Sequence, residues 1–429
     1  MAPENLTRQG LMSVVESWVQ NPDIPFAIRF GDGRSITGTD RPRFVLEFSS
    51  PDVIEGLMSR GDLAAFADAY IQGELKIHGD IQAAVGIAKR LRQILPVLQG
   101  TPRPGTRSEN RSEPRIPQDD ARDVQFHYDL PTEFFRLFLD QEMVYSCAYF
   151  ERPGDSLEAA QRQKLDLTCR KLGLEPGDEL LDVGCGWGSL LLHAVERYGV
   201  RAHGITLSPR QVETVQTRTR QRKLQDEISV AACHYIDLPP NRFDKVASIG
   251  MVEHVGRGQL RTYFDTLNRS LRPGGLLLNH GISVPRKRPR HLGGDFITRH
   301  VFPGSELIPV GDMLNFIEDA GLEIIDVQAL RPHYSLTLGH WAHRYFSRRH
   351  EAARWVSERT LRIWDIYLPA CQEVFAAGYV GVHQILAFKP DPSGIRQPSL
   401  PRAGVKEPFS ERLDALPDRE VPLALSRPA

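Results

Sequence analysis

Residues 179–190 read ELLDVGCGWGSL, and this stretch decides the fold that the sequence predicts. Its first five residues are typical of a buried strand, and they run directly into the glycine-rich loop 184–188. Glycines in such a loop let the backbone turn tightly and approach a ligand with no Cβ in the way. The residues from Ser189 onward are predicted to form a helix whose N-terminus faces that ligand. The stretch therefore predicts a strand, a ligand-binding loop and a helix of a parallel α/β sheet.

The spacing of the glycines separates two kinds of nucleotide site. Asp182 precedes a G-x-G-x-G pattern, whereas a dinucleotide site has G-x-G-x-x-G and an acidic residue at the end of the second strand. The second predicted strand, 200–205, ends instead in Thr206-Leu207-Ser208. Gln211 lies just inside the next predicted helix, where it can make polar contacts to a ribose. A dinucleotide site and a purely structural turn are the alternatives that this pattern disfavours.

Helix and strand patterns alternate over residues 156–390, which favours a parallel α/β sheet. The strand 243–249 leads to Glu253, and the strand 276–280 ends at His280. Because ligands bind at the carboxyl ends of strands in such sheets, both side chains are expected beside the glycine loop. His254 is expected either to point away from Glu253, as it would on an extended chain, or to stand at the start of a helix.

The chain is predicted to have four parts. Residues 1–95 combine short strand and helix patterns into a small N-terminal α+β accessory domain. Residues 96–122 are rich in Pro, Arg and Ser and are predicted to be a flexible linker, because they cannot bury enough apolar surface. Residues 123–390 form the predicted catalytic domain, and the proline-rich residues 391–429 are predicted to be a disordered tail.

Composition excludes several classes of protein. The 429 residues include 53 Lys+Arg and 54 Asp+Glu, and a net charge of −1 argues against a general nucleic-acid binder. No apolar run is long enough to span a bilayer, and the N-terminus lacks a signal-peptide pattern. Five scattered cysteines indicate neither a disulfide framework nor a metal site. The expectation is a cytoplasmic protein that binds no nucleic acid and no metal.

Several strings, in order along the chain, resemble the cyclopropane-fatty-acyl-phospholipid synthase family, which includes the mycolic acid cyclopropane synthases. The strings are HYDLPTEFFRLFLDQEMVYSCAYF (127–150), LLDVGCGWGSL (180–190), GITLSPRQ (204–211), GMVEHVG (250–256), HGIS (280–283), VFPG (301–304) and RPHYSLTL (331–338). The resemblance implies a class I S-adenosylmethionine (SAM) methyltransferase fold, a Rossmann-like sheet with helical lid insertions. It departs at Ser305, which stands where the family has a second glycine.

The resemblance also implies an activity and its residues. The family transfers the SAM methyl group to a cis double bond of a phospholipid acyl chain, and the resulting cation loses a proton to bicarbonate and closes a cyclopropane. The bicarbonate ligands would be Cys147, Glu253, His280, Tyr334 and, through its backbone, Ile282. The SAM contacts would be Tyr145, Ser146, Gly184, Gly186, Gly188, Thr206, Leu207, Gln211 and Tyr235. Cys371 resembles a cysteine treated as a nucleophile in the family, although helix packing explains its position equally well.

The chemistry of that reaction asks for particular surroundings. An alkene is a weak nucleophile, so it must be held in line with the sulfonium methyl group, in a site that keeps water from the cation. Aromatic faces can stabilise such a cation. The aromatic candidates within the matched strings are Phe134, Phe135, Tyr149, Phe150, Phe302 and Tyr334.

Three other functions stay open. They are an acyl methyltransferase that gives a methyl or methylene branch, a small-molecule N-methyltransferase, and a lipid-binding module with an inactive methyltransferase fold. The expected partners are phospholipid acyl chains at the inner face of the membrane, where the enzyme would associate peripherally, and a second copy in a homodimer. A basic cluster of Arg286, Lys287, Arg288 and Arg290 would contact anionic headgroups.

Overall fold

The structure is a computed structural model that describes residues 13, 15–17, 19–20, 25–60, 63–94, 117–287 and 294–394. Most of the predicted linker, Arg288 and Arg290 of the basic cluster, and the predicted tail from residue 395 onward lie outside the described residues. Contacts divide the chain into two compact units. Unit 1 comprises Met1–Asn110, Pro289–Val301 and Arg348–Glu373, and unit 2 comprises Arg111–Arg288, Phe302–Ser347 and Val374–Ala429.

The elements alternate along most of the chain. The strands are β1 Phe26–Phe30, β2 Ser35–Thr37, β3 Phe44–Phe48, β4 Leu75–Gly79, β5 Glu179–Val183, β6 Arg201–Thr206, β7 Ile228–Ala232, β8 Phe243–Ile249, β9 Leu271–Ser283, β10 Glu323–Ala329 and β11 Gly381–Phe388. The helices are α1 Pro51–Arg60, α2 Leu63–Gln72, α3 Ile81–Ile94, α4 Pro117–Tyr128, α5 Thr132–Arg136, α6 Leu157–Leu172, α7 Ser189–Tyr198, α8 Pro209–Arg222, α9 Val252–Val255, α10 Leu260–Ser270, α11 Gly294–His300, α12 Val310–Asp319, α13 Arg331–Ser347, α14 Arg349–Ala352 and α15 Glu358–Ala376.

Unit 2 is built on a seven-stranded sheet in the order β10-β11-β9-β8-β5-β6-β7. The strands from β9 to β7 pair in parallel, and β11 is antiparallel to both of its neighbours. The chain leaves β5 toward β6 and β7 and later returns to β8 on the other side of β5. This switch in direction opens a crevice at the carboxyl ends of β5 and β8, where open α/β sheets bind ligands. The arrangement confirms the predicted class I SAM-methyltransferase fold.

The β5 strand lies in the middle of this sheet, and its sequence explains why. Leu180 and Leu181 point to opposite faces, and both are completely buried, because helices cover a parallel sheet on each side. The helix before it begins after Ser156, which caps α6 by accepting a hydrogen bond from the backbone N–H of Ala159. Because the glycine loop follows directly after β5, the buried strand holds the loop in place at the carboxyl edge of the sheet.

Unit 1 contains a four-stranded sheet in the order β2-β1-β3-β4, with helices packed against it, which confirms a small N-terminal α+β domain. The α2 helix also binds two later segments. Asp68 accepts hydrogen bonds from Arg299 and His300, each at 2.8 Å, and the Tyr70 hydroxyl donates to Asp365 at 2.8 Å. These bonds place residues 289–301 and 348–373 in unit 1, although the sequence had placed them in the catalytic domain.

Two predicted elements differ from the structure in extent. The helical pattern over residues 52–71 corresponds to two helices, α1 and α2, and residues 61–62 between them lie outside the described residues. The strand predicted over 276–280 is longer at both ends, as β9. Its added carboxyl end is held by antiparallel pairing with β11, in which Ser283 faces Gly381 and His280 faces Gln384.

Candidate active site

A cavity lies at the carboxyl edge of the sheet in unit 2, beside the glycine loop. Eight of the nine residues predicted to contact SAM line it. They are Tyr145, Ser146, Gly184, Gly186, Thr206, Leu207, Gln211 and Tyr235. The ninth, Gly188, is not among the lining residues.

The glycine loop shows two different uses of glycine. Gly186 has a φ of +54°, and a Cβ there would meet no atom within 4 Å, so the backbone faces open space. Gly188 has a φ of +83°, and a Cβ there would lie 2.9 Å from Cγ2 of Val215 on α8. We conclude that Gly186 leaves room for a ligand, whereas Gly188 permits close packing of the loop against α8.

The second strand ends in a hydrogen-bonded turn, which explains the position of Gln211. Ser208 caps α8 by accepting from the backbone N–H of Gln211, and Thr206 Oγ1 donates to Gln211 Oε1 at 2.5 Å. Ser208 in turn donates to a carboxylate oxygen of Asp129 at 3.0 Å. The turn after β6 is thereby connected to the segment that follows α4.

The end of α4, the residues that follow it and Phe302 form an aromatic wall beside Tyr145. His127 Nε2 lies 3.2 Å from the Tyr145 hydroxyl, and its ring centroid lies 4.1 Å from that of Phe302. Phe135 packs on Trp187 of the glycine loop, with centroids 4.8 Å apart. Of the six aromatic candidates, Phe135 and Phe302 belong to this wall, whereas Tyr149 and Phe150 pack on His333. None of the six is among the residues that line the cavity.

Glu253 lies on α9, which is pressed against β9. A Cβ on Gly281 would lie 2.4 Å from Cγ1 of Val252, so only glycine allows this contact. The backbone N–H of Ile282 donates to Glu253 Oε1 at 2.6 Å, which brings two of the predicted bicarbonate ligands together. Burial raises the pKa of Glu253 to about 7, although that hydrogen bond opposes the shift.

The expected direction of His254 was wrong. Residues 252–255 form a helical turn, not an extended chain, so successive side chains are about 100° apart. His254 lines the cofactor cavity and packs on Phe302, with centroids 5.5 Å apart, while Glu253 points toward Ile282.

His280 is buried on β9, and burial lowers its pKa to about 3, so the ring is neutral. The Gln384 side-chain amide nitrogen lies 3.3 Å from Nδ1. With that amide as donor, Nδ1 accepts and Nε2 carries the ring proton. Within the described residues, His280 Nε2 and Glu253 Oε2 are both buried without a hydrogen-bond partner. A buried donor and a buried acceptor are thus left for a ligand.

Cys147 and Tyr334 meet at a different point. The Cys147 thiol donates to the carbonyl oxygen of Leu330 at 3.7 Å, and the backbone N–H of Tyr334 donates to the same oxygen at 3.2 Å. The backbone N–H of Leu330 donates a hydrogen bond to the carbonyl oxygen of Val382, and Val382 on β11 pairs with Ile282 on β9. These two predicted ligands are therefore connected to the Glu253 region through backbone hydrogen bonds.

Cys371 lies on the part of α15 that belongs to unit 1. The residue is half-buried, and burial of its thiol raises the pKa to about 12. Such a thiol is protonated at neutral pH, and the thiolate is the nucleophilic form. A nucleophilic role for Cys371 stays a prediction without support from this environment.

Sequence reasoning missed Lys164 and Tyr128, which both line the cavity. Lys164 Nζ donates to Ser146 Oγ at 3.0 Å, and burial together with the charge of Glu253 raises the pKa of Tyr128. The signal for Lys164 was present: it lies seven residues after Leu157 on the buried face of α6, where a charged residue is out of place.

Comparison with known proteins identifies relatives over most of the chain. The family described as mycolic acid cyclopropane synthetase matches residues 116–385. A probable fatty acid methyltransferase of Pseudomonas putida is 39% identical over 380 residues, 88% of this chain and 95% of that protein. Another, of Mycobacterium tuberculosis, is 32% identical over 418 residues, 90% of this chain and 96% of that protein.

A solved structure of the mycolic acid cyclopropane synthase CmaA1, complexed with SAH and CTAB, is 36% identical with a TM-score of 0.61. The similarity covers 63% of this chain and 98% of that one. The chain therefore belongs to the mycolic acid cyclopropane synthetase family, and it is a SAM-dependent methyltransferase of that family.

Proposed function

We propose that this protein transfers the methyl group of SAM to the cis double bond of an unsaturated phospholipid acyl chain and closes a cyclopropane ring. The observation that carries the proposal is that two buried side-chain atoms, Glu253 Oε2 and His280 Nε2, each have no hydrogen-bond partner within the described part of unit 2. A carbocation must lose a proton to become a stable product, so the site has to hold a base.

The bonds that form and break are few. The alkene π electrons attack the sulfonium methyl carbon, the carbon–sulfur bond breaks, and S-adenosylhomocysteine (SAH) leaves. The cation then loses a proton from the added methyl group, and the electrons of that C–H bond close the ring. Tight burial of Glu253 and His280 keeps water away from the cation, which would otherwise add to it.

The residues present fit a bound bicarbonate. His280 Nε2 offers a proton, Glu253 Oε2 offers an acceptor, and bicarbonate has both oxygen acceptors and one O–H donor. Bicarbonate, when bound, supplies the base for the proton that the methyl group loses. A side-chain carboxylate next to the cation could itself be alkylated, so Glu253 suits a role as a holder of the base. Cys147, Ile282 and Tyr334 remain predicted members of this ligand set.

A branched acyl product is the second candidate. The relatives from Pseudomonas putida and Mycobacterium tuberculosis are named probable fatty acid methyltransferases, and they cover 88% and 90% of this chain. Both products arise from the same cation, and both require proton loss if the branch is a methylene group. The fold likeness to coclaurine N-methyltransferase, at 18% identity, shows the fold alone and does not favour amine methylation.

We also propose that the acyl chains are reached at the surface of a membrane. Among the described residues, no helix is both long and apolar enough to cross a bilayer. Within the basic cluster, Arg286 forms an ion pair with Asp312, so its charge is partly committed to the protein. Peripheral association at the inner face of the membrane and assembly as a homodimer remain predictions.

The test is expression in a bacterial host that makes unsaturated phospholipids but no cyclopropane lipids. Acyl chains that gain one methylene and show upfield ring protons by NMR would support the proposal. Exomethylene or branched-methyl signals would replace it with the second candidate, and unchanged lipids with a folded enzyme would overturn both.

A further inference from the structure

A buried lysine lines the cofactor cavity. Lys164 is 2% exposed, and it is the only lysine or arginine among the described residues that line this cavity. Burial lowers its pKa to about 8, and the nearby Asp140 and Asp182 oppose that shift. Because burying an ammonium group without hydrogen-bond acceptors costs free energy, Lys164 is expected to have acceptors for its three N–H groups.

The protein satisfies that ammonium group only in part. Nζ carries three protons, and one of them is donated to Ser146 Oγ at 3.0 Å. The oxygens of Asp140 already accept from the backbone N–H groups of Glu142 at 3.0 Å and Val144 at 2.8 Å. No ion pair joins Nζ to a carboxylate among the described residues. Two N–H groups are therefore left for an acceptor that the protein does not supply.

The cavity has two chemically different ends. Gln211 and Tyr235, predicted to hold the ribose and adenine, belong to the side of β6 and β7. Ser146 and Lys164 belong to the side of α6, where the Lys164 ammonium group, the only Lys or Arg cation of the described lining, lies near the Asp182 carboxylate, which also lines the cavity. SAM has one anionic group, the carboxylate of its methionine portion, at the end opposite the adenine.

We propose that the Lys164 ammonium group binds the carboxylate of the methionine portion of SAM. The ion pair would fix the end of SAM nearest the sulfonium, and Ser146 would orient the lysine. The carboxylate would also neutralise the positive charge of the Lys164 ammonium group, which would otherwise repel the sulfonium. The inference rests on SAM binding and is independent of which acyl product the enzyme forms.

The experiment measures ligand binding by calorimetry, without turnover. The ligands are SAH, decarboxylated SAH and 5′-methylthioadenosine, which lacks the whole amino acid. We expect wild-type protein to bind decarboxylated SAH about tenfold or more weakly than SAH, since a charge-assisted bond is lost. Lys164→Met should weaken SAH binding similarly and leave 5′-methylthioadenosine binding within about twofold.

Lys171→Met is the matched control. Lys171 lies on the same helix, its side chain is 9% exposed, and its Nζ is 2.8 Å from Asp326 on β10. It does not line the cavity, so its loss should leave SAH affinity unchanged.

Equal binding of SAH and decarboxylated SAH by the wild-type protein would overturn the inference, even if Lys164→Met failed to fold. Equal loss of SAH and 5′-methylthioadenosine affinity in a folded Lys164→Met would also overturn it, because the lysine would then only shape the cavity. Wild-type protein that binds no SAH would overturn it together with the methyltransferase assignment. Tight, carboxylate-dependent SAH binding without any acyl product would support the inference and contradict the proposed function alone.

Discussion

Glu253 combines a catalytic position with a cost to stability. Its side chain is buried, one oxygen accepts from Ile282, and the other has no partner among the described residues. Burial therefore raises its pKa from 4.5 to about 7. A folded protein that holds a proton more tightly than the unfolded chain loses stability as pH rises between those two values. The protein is therefore less stable at neutral pH than it would be with a neutral residue here, and it keeps Glu253 Oε2 as an acceptor for a ligand.

Glu253→Gln should remove this pH dependence, because glutamine keeps an oxygen for the Ile282 N–H and cannot ionise. At pH 8 the variant should be more stable than wild type by up to about 3 kcal/mol, and at pH 5 by less than about 1 kcal/mol. Urea unfolding at the two pH values measures the difference. Its turnover should fall far more than its SAH affinity.

Glu351→Gln serves as the control, since Glu351 is paired with Arg348 at the surface. It should show no gain in stability at pH 8. A Glu253→Gln protein whose stability relative to wild type is the same at both pH values would show that Glu253 has an ordinary pKa.

At the scale of elements, periodic segments were predictable and close contacts were not. The sequence predicted β8 with its observed bounds, 243–249, because an apolar run between polar turns is a local signal. The helical turn α9 was only an alternative in the sequence, as a helix start at His254, since four residues carry too little periodicity to identify a helix. Its place depends on Gly281, whose missing Cβ matters only once β9 and α9 are brought together. Lys164 was missed for a related reason: its hydrogen-bond partner Ser146 lies outside α6, so the sequence of the helix does not reveal it.

Gly281→Ala should therefore disable the site without removing the cofactor. The new Cβ would lie 2.4 Å from Val252 Cγ1, so α9 must move and the 2.6 Å bond between Ile282 and Glu253 should be lost. We expect a loss of turnover of at least about tenfold, with SAH affinity retained within about threefold. Gly154→Ala is the control, since a Cβ there meets no atom within 4 Å. Unchanged turnover in Gly281→Ala would contradict this account of α9.

At the scale of the whole molecule, unit 1 includes segments that are far apart in the sequence and are joined by buried hydrogen bonds and ion pairs. Asp365 is completely buried, accepts two hydrogen bonds from Arg349 at 2.8 Å, and accepts one from Tyr70. Residues 348–373 look like catalytic-domain helices in the sequence, but the structure groups them with unit 1, to which these hydrogen bonds join them. Composition and periodicity cannot reveal pairing between residues almost 300 positions apart.

Asp365→Asn should destabilise unit 1 by about 3 kcal/mol, because it leaves Arg349 without its buried counter-charge. Chemical denaturation of the full chain measures this loss. Asp32→Asn, which removes an exposed pair with Arg34, should leave stability unchanged. If the two variants unfold alike, Asp365 does not hold these segments in unit 1.

The most direct test of the central claim follows the fate of the transferred methyl group. Purified enzyme is incubated with SAM that carries a CD3 group and with vesicles of an unsaturated phospholipid, and the acyl products are analysed by mass spectrometry and NMR. We predict a cyclopropane whose ring methylene has kept two deuterium atoms, because one is lost as the cation is deprotonated, and we predict far less product from Glu253→Gln. A product that keeps all three deuterium atoms, or one with exomethylene signals, would contradict ring closure.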